Sequence, residues 1–123
     1  MRSFEIIVLL NVSLLFGITI YAGIVCNMAG VAVALGDLEN ARKYSLESLR
    51  FFSSIDNKEG IATTKWRLAE IELPQNPESA LAFARDAYDI FSRLGMIQEC
   101  VELQNMISKI NNFIKEDKNE LQF

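Results

Sequence analysis

The chain has no histidine in its 123 residues. That removes at once the commonest general base and the commonest metal ligand. Only two cysteines occur, Cys26 and Cys100, with no CxxC spacing to suggest zinc or a redox pair. Both read as small apolar residues in helices. Charge of one sign is not concentrated either. Twelve Lys and Arg face sixteen Asp and Glu, and the basic residues are scattered rather than gathered on one face. A phosphate-binding surface needs clustered cations, so nucleic acid is not an expected partner.

Catalytic patterns are equally scarce. The stretch from Gly60 to Lys65 lacks the spacing and second glycine of a phosphate loop. No GxSxG is present, and without histidine no serine has an evident activating base. Carboxylate pairs such as Glu70 with Glu72, or Glu99 with Glu102, are what solvated helix faces carry. The expectation is therefore no catalytic residue, no cofactor and no metal site.

One absence is positional. From Ile6 to Leu35 there is no charged side chain, a run longer than the roughly 20 residues that cross a bilayer. Its first part, through Tyr21, is rich in large aliphatic residues, whereas Ala22 to Leu35 is dominated by Ala, Gly and Val. Three readings fit residues 1–21. A membrane anchor fits the uncharged length, and Arg42, Lys43 and Lys58 beyond it, against Arg2 before it, favour a cytoplasmic repeat region. A buried helix packed on the rest of the chain fits the interruptions at Asn11, Ser13, Gly17 and Thr19. A cleaved signal peptide, and hence an exported protein, fits Arg2 and the apolar core, although Glu5 is unusual at such a start and Ile20-Tyr21-Ala22 is a poor cleavage site.

What is present in quantity is helical periodicity. The stretch from Asn27 to Leu49 reads as two helices folded back on each other around Gly36-Asp37. Small residues at Ala29, Ala32, Ala41 and Ser48 stand where the two would approach closely. An offset of 39 residues lays Ala41 over Ala80, Phe52-Ser53 over Phe91-Ser92 and Ile55 over Leu94, and Met28-Ala29 corresponds to Leu68-Ala69 when the turn of the second copy is one residue shorter. Pro77 suits the first turn of a helix and Asn76 its cap. Leu46, Leu49, Phe52, Leu68 and Ile71 are expected to fill the space between hairpins. Beyond Gly95, apolar residues at Ile97, Cys100, Leu103, Ile107, Ile110 and Ile114 form one helical stripe.

These residues resemble the tetratricopeptide repeat family, particularly its longer-period variant found in large bacterial and signalling regulators. Asn27-Met28-Ala29, Gly36-Asp37, Ala41 and Ser48-Leu49 carry the resemblance in the first copy, and Ala69, Ala80, Ala87 and Phe91-Ser92-Arg93-Leu94-Gly95 in the second. The fold implied is all-α: αα-hairpin repeats in a right-handed superhelix fragment, with an N-terminal apolar helix and a C-terminal capping helix. The expected divisions are 1–21 for the apolar helix, 22–95 for two hairpins, 96–115 for the cap and 116–123 for a frayed tail.

The function implied is a non-catalytic scaffold or adaptor that grips a peptide segment of a partner protein in a concave groove. In the family's register Gly23, Asn27, Gly30 and Ala34 of the first copy, with Thr63, Trp66, Arg67 and Glu70 of the second, would face that groove. Asn27, Thr63, Trp66, Arg67 and Glu70 are its candidate binding residues, and the adjacent Trp and Arg are types that interface hot spots favour. Members that grip a C-terminal carboxylate use a lysine where this chain has Gly23. Two other roles fit the same pattern: a sensory or regulatory fragment of a larger signalling protein, since two hairpins are fewer than the three or so usually needed for stability, and a membrane-anchored structural helical protein.

Overall fold

Three of the four turns in this chain are built alike, and they set its architecture. In the first, Gly36 takes a left-handed conformation at φ 76°. Its N–H donates to the Val33 carbonyl at 3.0 Å, and that of Asp37 to the Ala32 carbonyl at 2.9 Å. Those two bonds satisfy carbonyls that a helix end otherwise leaves unpaired. The fourth turn repeats the pattern at Gly95, φ 73°, with bonds to Ser92 and Phe91. The second does so with a non-glycine, Asp56 at φ 52°, bonding back to Ser53 while Asn57 bonds to Phe52. Aspartate tolerates this region better than most side chains.

Each stop is followed by a start. The carboxylate of Asp37 accepts from the Asn40 N–H, the amide oxygen of Asn57 from that of Gly60, and the amide oxygen of Asn76 from that of Ser79. These are N-caps, each satisfying an orphan donor of the first helical turn.

The computed structural model describes residues 2–120, and among them the chain forms five helices and no strand. They are α1 (Arg2–Ala34), α2 (Leu38–Ser54), α3 (Lys58–Glu72), α4 (Pro77–Arg93) and α5 (Ile97–Glu120). Helices α1 with α2, and α3 with α4, form two antiparallel hairpins that stack through α2 and α3, and α5 closes on α4.

Within each hairpin the contact is made by side chains too small to hold the backbones apart. Ala22 and Ala29 of α1 and Ala41, Ser45 and Ser48 of α2 are fully buried, as are Ala62, Ala69, Ala80, Ala84 and Ala87 of the second pair. The hydroxyl of Ser48 donates to the Ala22 carbonyl at 2.9 Å, so a polar group is buried at little cost where the second copy has Ala87. Larger residues fill the seams: Leu68 and Ile71 meet Ala32 and Ala41, while Phe91, Leu103 and Ile110 join the alanines of α3 and α4. The core is thus a row of clusters along the stack.

Four expectations are corrected. The apolar segment is not a separate helix, because α1 runs unbroken from Arg2 to Ala34 and supplies the first helix of the first hairpin. Residues 2–17 are exposed along their length, so they are not buried against the hairpins. Leu46 is 51% and Ile97 76% exposed, so neither fills a seam. The C-terminal helix continues through the segment expected to fray, as far as Glu120, because no turn residue stops it. The rest of that tail, 121–123, lies outside the described residues. Cys26 is buried and Cys100 half-buried, and both are free.

Candidate functional site

Helices α1 and α3 are the first helices of their hairpins and lie side by side, leaving a face on which neither is covered by α2 or α4. On α3, Thr63, Arg67 and Glu70 fall three and four residues apart and so share one side of the helix. Arg67 Nη1 donates to Glu70 Oε2 at 2.9 Å, with the two side chains 29% and 35% exposed. The guanidinium lies against α1 at Gly30, where an added Cβ would stand 3.1 Å from Nη2. Glycine there is what lets a planar cation rest on the neighbouring backbone. Arg67 Nε has no hydrogen-bond partner among the described residues.

Toward the other end of the same face, Asn27 and Thr63 border a cavity of about 260 Å³ floored by Cys26 and Phe52. Gly23, Gly60, Asn57 and Glu59 complete its wall. The cavity suits one apolar side chain, with the Asn27 amide, the Thr63 hydroxyl and the Glu59 carboxylate on its rim, and the Arg67–Glu70 pair lies one helical turn and more beyond Thr63 along α3.

Of the five residues expected in the groove, Asn27, Thr63, Arg67 and Glu70 therefore come to one face. Trp66 does not join them. One residue before Arg67, it is turned about 100° around the helix, and its ring meets Phe91 edge to face with centroids 6.1 Å apart. It is half-buried against the cluster formed by α3, α4 and α5. The adjacency that made Trp66 and Arg67 look like a paired hot spot is what separates them.

This arrangement matches a known repeat. The family model for the tetratricopeptide repeat covers residues 21–93, from Tyr21 through the end of α4. The chain belongs to the tetratricopeptide repeat family. No curated protein and no solved structure matches the chain significantly. Tetratricopeptide repeats generally mediate protein–protein interaction and typically act as non-catalytic modules.

The tetratricopeptide match begins where the apolar part of α1 first meets α2. Tyr21 packs edge to face on Phe51 at 5.1 Å, and its hydroxyl donates to Glu47 at 2.7 Å. A second surface was not anticipated from the sequence. Next to that face, and sharing Asn27 with it, Ile24, Met28, Val31 and Leu35 of α1 border a groove of about 470 Å³, with Asp37, Asn40 and Tyr44 of the turn and α2 opposite. The signal was in the repeat itself, since Met28 stands where the second copy has Leu68.

Proposed function

We propose that the chain is a non-enzymatic binding module that takes an extended peptide segment of a partner protein along the face between α1 and α3. The observation that carries this is the Arg67–Glu70 pair laid over Gly30 beside the cavity at Asn27 and Thr63. Arg67 and the Asn27 amide offer donors to backbone carbonyls or an acidic side chain, Glu70 accepts from backbone N–H groups, and the cavity takes an apolar side chain. Mixed polar and apolar contacts of this kind are how helical grooves read short segments.

The test is selection from a displayed library of random peptide segments against the full chain in detergent. Selected segments should share an apolar residue flanked by an acidic one, and Arg67→Glu should remove their binding. Enrichment of no sequence pattern, or binding unchanged in both Arg67→Glu and Asn27→Ala, would refute the reading.

We propose in addition that the first part of α1 anchors this module in a membrane, with the repeats on the cytoplasmic side. The supporting observation is a helix that passes the length and hydropathy requirement for a span while its apolar window is only 6% buried. Phe4, Leu9, Leu10, Leu14 and Phe16 are each more than 60% exposed, a cost that lipid would remove. Retention of the intact chain in the membrane pellet after alkaline carbonate washing is the expected result. Release into the supernatant would overturn the proposal.

A further inference from the structure

The second hairpin shows what covers this fold's outer face, and the first hairpin has nothing there. In the second, Leu68 and Ile71 of α3 are 1% and 0% exposed, packed with Phe83 of α4 against Ala41 and Leu49 of α2. An offset of 40 residues carries Leu68 and Ile71 onto Met28 and Val31 of α1, and an offset of 39 carries Phe83 onto Tyr44. Met28 is 43% and Val31 60% exposed, and both border the groove of about 470 Å³. The position that α2 fills for the second hairpin is open for the first.

We propose that a second copy of this chain fills it, α1 lying parallel to α1 about a two-fold axis, so that α1 and α2 of both copies form a four-helix interface. A two-fold contact brings a surface against itself, so it must tolerate its own charge. Between Glu5 and Asp37 no residue of α1 is charged, and the one charged residue bordering the groove, Asp37, has its carboxylate engaged by Asn40 at the start of α2, so this face meets its own copy with less like charge than the α3 and α5 surfaces would. The exposed stripe also continues past the groove, because Leu10 and Gly17 fall on the same side of the helix as Ile24 and Val31. An added Cβ at Gly17 would meet nothing within 4 Å, so two helices can approach closely there.

The contact adjoins the peptide face at Asn27, which borders both the groove and the smaller cavity, and does not include Arg67 or Glu70. If residues 4–21 sit in a bilayer, both copies are also held parallel in one plane, which raises their effective concentration.

The experiment is sedimentation equilibrium of the full chain in density-matched detergent over a concentration series. The wild type should sediment with the protein mass of two chains. Val31→Arg should bring it to one chain with helix content unchanged, and Leu35→Arg, at a residue 79% exposed, serves if the first variant loses helicity. Arg67→Glu, outside the contact, should remain at two. A wild type with one chain's mass throughout overturns the proposal, and so does a two-chain mass that survives both groove substitutions. Neither result bears on peptide binding, which is read separately through Arg67.

Discussion

Gly60 offers the sharpest test of how the two hairpins are joined. It is the third residue of α3, buried, and its hydrogen atoms face the ring of Phe52 from α2. A Cβ added there would lie 2.5 Å from Cγ and Cε1 of that ring and nearer still to Cδ1. The obstacle is the body of a buried aromatic, 6% exposed and wedged among Ala22, Cys26 and Ile61, rather than the end of a flexible chain. Overpacking of this kind costs about 1–3 kcal/mol. Alanine in place of glycine within a helix returns about 0.5–1 kcal/mol. Gly60→Ala should therefore destabilise, by up to about 2.5 kcal/mol, a fall in Tm of up to about 10 °C for a chain of this size. Far-ultraviolet circular dichroism during thermal unfolding of the intact chain reads it. The same substitution made on Phe52→Leu should cost at least about 1 kcal/mol less, because the two positions share one contact. A rise in Tm for Gly60→Ala, or equal effects in both backgrounds, would show that the close approach of α2 and α3 has been misread.

Three other outcomes follow from the same packing, all measured by thermal or urea denaturation. Trp66→Ala should lower stability by about 2–4 kcal/mol, through lost burial and the edge contact with Phe91, and should leave peptide affinity nearly intact. Ala41→Leu and Ala80→Leu, at positions fully buried between helices, should each cost about 1–3 kcal/mol. Asn57→Ala and Asn76→Ala should each cost about 1 kcal/mol through loss of an N-cap, whereas replacing the exposed Asn11 should change stability by less than about 0.5 kcal/mol.

Much of this fold could be read before any coordinates. Glycine at 36 and 95 and the Asn76-Pro77 pair mark helix ends because local backbone chemistry decides them, and small residues 39 apart mark a repeated helix contact because only small side chains permit it. The turn at Asp56 was less visible, since aspartate in a left-handed conformation carries no distinctive sequence sign. Helical spacing puts Thr63, Arg67 and Glu70 on one side of α3, and the register of the resembled family set Asn27 of α1 beside them.

Three features depended on the third dimension. Spacing along α3 says that Trp66 and Arg67 diverge, but only the position of Phe91 says which of them is drawn into the core. The division of residues 1–34 into two segments followed a change in composition, and composition does not break a helix: Leu and Ala both propagate one, so α1 runs straight through. Which apolar residues stay uncovered is likewise a matter of neighbours. Met28 and Leu68 occupy equivalent positions with similar side chains, and Leu68 is buried because α2 lies over it while Met28 is open because no helix among the described residues covers it. Sequence determined the repeating unit, since that is local geometry and side-chain size. Tertiary structure decided which copies of the unit's surface are satisfied, since burial depends on what arrives from elsewhere in space.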